Sequence, residues 1–175
     1  ASTSISVKLG QRDYNTAENI LGNTITLNLI IGSSFGIICL IFLDPILRFF
    51  GASDATIPYA RSFMKVILAG NVISHMYFGM NAVLRAASKP RQAMTATIFT
   101  VLMNIVLDFI FIRLWGWGIR GAAFATVLSQ ALALCWQMKQ FTNKDEILHL
   151  KRGIYRLKRH LVENIISIGI SPFLM

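Results

Sequence analysis

The chain has 175 residues, of which 54% are hydrophobic and only 14% charged, with a net charge of +9 and a mean hydropathy of +0.57. Soluble domains carry about a quarter charged residues, so this composition excludes an ordinary soluble fold and predicts a membrane protein. A basic soluble domain that binds nucleic acid is excluded too, because the apolar residues fall in runs of membrane length.

The opening ASTSISVKLG lacks a charged region followed by a cleavage site, so it is no signal peptide and reads as a helix already under way. Four apolar runs follow, Ala17 to Leu43, Phe63 to Ala87, Ala93 to Leu114 and Gly121 to Met138. Each meets the requirement of about 20 residues, at about 1.5 Å apiece, for crossing a hydrocarbon core of roughly 30 Å. A basic stretch over 139–161 comes next, and NIISIGISPFLM begins another apolar segment. Both ends look cut, which predicts a piece of a longer protein. The expected fold class is all-α, a polytopic membrane helix bundle.

The basic residues predict orientation. The first, third and fifth connections hold Lys8 and Arg12, then Arg85, Lys89 and Arg91, then Lys139 and the basic residues up to Arg159. The second and fourth hold only Arg48, Arg61, Lys65, Arg113 and Arg120. Alternate loops lie on one side, and the Lys/Arg-rich side is cytoplasmic. The positive charge is therefore mainly a topology signal, with some attraction of KRGIYRLKRH to anionic lipid. Trp115 and Trp117 then fall in an outer loop at the interface, where aromatic residues gather.

Helical spacing gives each later span a polar seam. Thr97, Thr100, Asn104 and Asp108 share one face of the third. Asn71, Ser74, Asn81 and Arg85 do so on the second, and Thr126, Gln130, Ala133 and Gln137 on the fourth. Such seams turn toward one another or toward a water-filled cavity, because a lipid-facing amide lacks partners. Taken singly, Thr97, Thr100, Ser74 and Gln137 read as hydrogen-bonding glue between helices.

Asp108 reads differently. A carboxylate near a bilayer's centre costs about 2.5 to 3.5 kcal/mol, more than a packing hydrogen bond usually returns, and asparagine would serve as glue. Burial opposes its charged form and a bound cation favours it, so an exchange of H⁺ or Na⁺ is the expected role. Gly32 and Gly36, and Gly121, Ala125, Ser129 and Ala133, predict close helix packing. His75 has no second ligand at metal spacing and reads as a packing or pore-lining residue. Cys39 and Cys135 act as small apolar residues. An enzyme is disfavoured, since Asp108 is the only acid expected deep in a span and no HExxH or nucleophile with a base is present.

In order and spacing, the stretches KLGQRDYNTAENI, GASDATIPYARSFMKV, GMNAVLRAASKPRQAM, NIVLDFIFI and GIRGAAFATVLSQ closely resemble the multidrug and toxic compound extrusion (MATE) transporters, above all their DNA-damage-inducible-protein-like branch. The resemblance covers essentially the whole chain. It implies a partial six-helix lobe of a twelve-helix transporter whose two lobes flank a cavity opening alternately to each side. Residues 1–138 would form the N-terminal lobe from the end of helix 2 through helix 6. Residues 139–161 would form a cytoplasmic linker, and 162–175 the start of helix 7.

The same resemblance implies a cation site built from an Asp and an Asn one turn apart on the fifth helix, an Asn on the fourth and a Thr on the sixth. These correspond to Asp108, Asn104, Asn81 and Thr126, a possible Na⁺ site. A further aspartate belongs to a first helix this chain lacks. The implied function is H⁺- or Na⁺-coupled export of drugs or organic cations across the bacterial inner membrane, with no catalytic residue and no cofactor. The implied partners are small organic substrates, membrane lipids and the remainder of the transporter, with no nucleic acid. The alternative within transport is a flippase for lipid-linked oligosaccharides. It needs several cavity-facing basic residues, and only Lys65 and Arg85 lie inside or at the ends of spans. A purely structural subunit gives no reason for the four polar residues.

Overall fold

The computed structural model describes residues 2–142 and Glu163, and the described residues form helices without a strand. A short α1 (Ser2–Gly10) leads through a tight turn into α2 (Tyr14–Ile41), 28 residues and about 42 Å long. Asp13 caps α2 by accepting from the Thr16 backbone N–H at 3.2 Å. Hydrogen bonding from the Thr16 side chain and backbone, with Lys8 nearby, holds the Asp13 carboxyl below its ordinary range. On the far side come a seven-residue α3 (Leu43–Phe49) and α4 (Ile57–Ala69), then α5 (Asn71–Ala86), α6 (Pro90–Asp108) and α7 (Ile119–Thr142). α7 continues to Thr142, past residue 139 where the linker is expected to begin. The rest of that linker and the expected helix over 162–175 lie outside the described residues, Glu163 apart.

Among the described residues three helices are long and apolar enough to span a membrane, Tyr14–Ile41, Pro90–Leu114 and Ile119–Phe141. The predicted second span differs from its expectation. It is a pair of helices, α4 and α5, bent by 54° at Gly70. The bend brings the backbone at Gly70 hard against α7. A Cβ at Gly70 would collide with the isopropyl group of Val127 on α7. The Asn71 side chain reaches across to donate to the Gly32 carbonyl at 2.9 Å. Gly36 sits against the Leu68 carbonyl, 3.2 Å from where its Cβ would stand, and Gly32 against Val72 and His75. The predicted GxxxG thus packs on the bend itself, and His75 is a packing residue against α2.

Burial is inverted relative to a soluble protein. Leu29, Ile30, Phe35, Ile38 and Ile41 of α2 are exposed, as are Leu102, Ile105 and Phe109 along α6, which suits a lipid-facing surface. The buried core gathers Ile5, Leu21, Met80, Val83 and Leu84 from α1, α2 and α5 with Phe141 of α7. It lies at the end of the bundle that carries Lys8, Arg85 and Lys89.

At the opposite end two arginines are paired with aspartates. Arg61 forks onto Asp44, with Nε donating to Oδ1 at 2.8 Å and Nη2 to Oδ2 at 2.6 Å, and Arg48 meets Asp54 at 3.0 Å. The Arg61 pair ties α3 to α4. Because it is half exposed, a double-mutant cycle of Asp44→Ala and Arg61→Ala should return a coupling of about 1 kcal/mol at most, shrinking in high salt. A coupling of zero in thermal unfolding at low salt would remove it as a tie.

Candidate functional site

The three polar seams face one another. Between α5 and α6, the buried Asn81 side chain donates to the Ala93 carbonyl at 3.0 Å and to Thr97 Oγ1 at 3.3 Å. One turn further along, Thr100 Oγ1 lies 3.1 Å from Tyr77 Oη. Between α5 and α7, Ser74 Oγ donates to Gln130 Oε1 at 2.5 Å. Between α6 and α7, Asn104 Nδ2 reaches Thr126 Oγ1 at 3.5 Å, the long limit of a hydrogen bond, while the Thr126 hydroxyl donates to the Ala122 carbonyl at 3.0 Å.

The four residues singled out from the sequence therefore occupy one seam without forming one cluster. Asn104 and Thr126 meet. Asp108 stands one turn beyond Asn104. Asn81 binds at the level of Thr97, seven residues and about 10 Å of helix before Asn104, and none of its hydrogen bonds goes to the other three. Its amide is occupied in joining α5 to the start of α6.

Asp108 has an unusual setting. Its Oδ1 is buried and receives no hydrogen bond among the described residues. It is also the last α-helical residue before a π-helical stretch, Phe109–Leu114, which carries the span to its end. Trp115 N–H closes that stretch on the Ile110 carbonyl at 3.0 Å, five residues back. Such wide turns inside α-helices concentrate at functional sites. Phe111 anchors the stretch, buried in contact with Trp115, Trp117 and Phe124 at ring-centre distances of 5.1, 5.4 and 5.5 Å.

The donor set suits a small hard cation or a proton. Asp108 supplies an anionic oxygen lacking a donor among the described residues, Thr126 a hydroxyl, and Asn104 an amide whose nitrogen faces that hydroxyl. Carboxylate and hydroxyl oxygens are the ligand type that alkali and alkaline-earth ions prefer. Among the described residues no group of three His, Cys, Asp or Glu is placed to hold a transition metal.

Three features escaped the sequence reading. Tyr77 completes the α5 seam, and its spacing of three from Ser74 and four from Asn81 signalled it. The π-helical stretch carried no signal, since FIFIRL contains neither Gly nor Pro. Glu18, 3% exposed in the second turn of α2, is more deeply buried than the half-buried Asp108, so Asp108 is not the only acid withdrawn from solvent in a span. Its place at the end of an apolar run made it look like a boundary residue.

The MatE family matches residues 1–110. The chain is 30% identical over 173 residues to the multidrug export protein MepA of Staphylococcus haemolyticus, a match covering 99% of this chain and 38% of that protein. Among solved structures, it superposes on the inward-facing conformation of a multidrug resistance MATE family transporter of the MOP superfamily with a TM-score of 0.90 and 29% identity. On an outward-facing conformation so described, the TM-score is 0.88 with 30% identity. Both cover 97% of this chain, and 39% and 38% of those chains. The chain thus spans about two fifths of the length of the relatives it matches, and those relatives are membrane transporters rather than enzymes. With the family's model matching well over half of its length, this chain is a member of the MatE family.

Proposed function

We propose that the chain forms the first lobe of a cation-coupled exporter of small organic molecules, with Asp108, Asn104 and Thr126 as the site of the coupling H⁺ or Na⁺. Asn81, on the same seam, holds α5 against α6 and passes movement of one helix to the other. The observation that carries this reading is the buried Asp108 oxygen without a donor, one turn from a paired amide and hydroxyl. A proton or a small cation is what a carboxylate in that place can accept.

In this reading the ion reaches Asp108 when the cavity is open to the outside. Neutralising the carboxylate changes the hydrogen bonding available to Asn104 and Thr126, and so the energy of α6 against α7. Coupling requires only that ion and organic substrate prefer different cavity orientations. The near-equal likeness of this chain to inward- and outward-facing relatives supports a lobe that keeps its internal shape while it tilts. The basic end, with Arg85 and Lys89, faces the cytoplasm of the cell by the charge rule, and residues after 142 link this lobe to a second one.

Dye efflux by the complete transporter in everted or intact cells, with a proton gradient, a Na⁺ gradient or neither imposed, tests the reading. Export should follow one of the two gradients and stop when it is collapsed. Export that continues with both gradients collapsed, or that needs ATP directly, removes the coupling proposal.

A further inference from the structure

Gln137 on α7 is fully buried, and neither its amide oxygen nor its amide nitrogen has a hydrogen-bond partner among the described residues. A buried polar group left unpaired costs more than a typical hydrogen bond contributes, and folded proteins satisfy most such groups with a protein partner or an ordered water. Two helix registers place this amide. α5 and α7 run side by side with Gly70 against Val127, Ser74 bonded to Gln130, and Leu84 and Phe141 in one core cluster, a constant spacing that carries Asn81 to the level of Gln137. α6 and α7 run in opposite directions through the pair Asn104 and Thr126, and eleven residues along α7 and back along α6 bring Gln137 and Ala93 to the same level.

These registers set Gln137 beside polar groups that are already joined. The Ala93 carbonyl accepts from Asn81 Nδ2 and from the Thr97 hydroxyl, each at 3.0 Å, and Thr97 Oγ1 also accepts from Asn81 at 3.3 Å. Asn81 makes these bonds through its nitrogen, which leaves its oxygen to a donor. The facing positions Ala93, Ala96 and Ala133 are buried and small, so a guest here is small too. An amide with both an unpaired donor and an unpaired acceptor is satisfied by a molecule that donates and accepts, whereas a cation would answer the oxygen alone and an anion the nitrogen alone. Water meets both needs.

We propose that Gln137, Asn81 and Thr97 hold a buried water, and that the coupling ion passes it on leaving Asp108 for the cytoplasm. The water site stands on the geometry, and its place on the ion's path rests on the transport reading. From Asn104 the site lies about 16 Å along α6 toward the basic end. Thr100 with Tyr77 and Ser74 with Gln130 occupy the turns between, so polar groups stand on successive turns from Asp108 to Gln137.

The test joins three measurements on the complete transporter. A crystal structure of the wild type that resolves ordered solvent should show a water within hydrogen-bond distance of the Gln137 amide and of Asn81 or Thr97, and it decides even if a variant does not fold. Gln137→Leu, close in size and apolar, should lower the Tm because it strands the water's other partners, whereas relief of an unanswered amide would raise it. In dye efflux, Gln137→Leu should cut the maximal ion-driven rate about tenfold, a barrier raised by roughly one lost hydrogen bond. The ion concentration for half-maximal efflux should stay unchanged, since the Asp108 end is untouched. Gln137→Asn keeps an amide and makes room for a second water, so it should recover most of the rate. A Gln137 amide bonded to protein with no water beside it, or a raised Tm in Gln137→Leu, overturns the water site whatever the efflux shows. A water in place with a wild-type maximal rate from Gln137→Leu overturns its part in the ion's path. Efflux that ignores both gradients refutes the transport reading and with it that path, while the first two measurements decide the water site.

Discussion

Asp108→Asn in the complete transporter should express normally, still bind its organic substrate and lose ion-driven efflux by roughly a factor of ten or more. The substitution keeps the size of the side chain and its hydrogen-bonding ability, and it removes the capacity to ionise. If Asp108 served only to join helices, an amide would serve better, because it brings a donor as well as an acceptor to the seam. A coupling group has to present two charge states, since an ion with equal effect on both cavity orientations shifts nothing however tightly it binds. Asn104→Ala and Thr126→Ala each remove one oxygen and leave the carboxylate, so they should raise the ion concentration needed for half-maximal efflux while leaving the maximal rate largely intact. Efflux is to be measured over a range of pH and Na⁺. Wild-type rates from Asp108→Asn across that whole range would return the residue to a structural role.

The parts of this fold that follow from summed hydropathy and from period are legible in the sequence. Three of the span lengths, the polar faces of α5, α6 and α7 and the gathering of basic residues at one end all belong to that class. Asn104 and Thr126 meet because each sits on the face its spacing assigned. What the sequence withheld depends on partners far along the chain. Asn81 shares its face with Arg85 and Ser74, but which turn of α6 it meets depends on how α5 slides against α6. The structure pairs it with Thr97 rather than with Asn104. The π-helical stretch after Asp108 is likewise set by where Phe111 finds its aromatic partners, and FIFIRL reads as ordinary helix by propensity. Glu18 was hidden by its neighbours, because a carboxylate at the mouth of an apolar run is usually solvated, and tertiary packing rather than local sequence buries it.

The bend at Gly70 is the other feature composition could not supply, and it leads to a large expected effect on stability. Gly70 has a φ of −85° and a ψ of 0°, accessible to any residue, so the need for glycine here is steric rather than conformational. A Cβ would press on both methyl groups of Val127 and lie 3.0 Å from its Cβ, and a β-branched side chain held in a helix has no free rotamer to retreat to. Gly70→Ala should therefore destabilise the folded lobe by about 1 to 3 kcal/mol through overpacking, even though alanine favours helix over glycine by about 1 kcal/mol. Gly79→Ala provides the contrast. Its new methyl would meet only the amide end of Asn28, which can rotate aside, so its cost should be smaller. Val127→Ala alone should cost about 1 to 2 kcal/mol by leaving a void. The double variant Gly70→Ala/Val127→Ala should recover much of the sum, because the added methyl occupies the space the removed ones leave, a coupling of about 1 to 2 kcal/mol. Thermal unfolding of the four proteins in one detergent measures the cycle. Additivity within about 0.5 kcal/mol would mean that α4 and α5 part at Gly70 for some reason other than contact with α7.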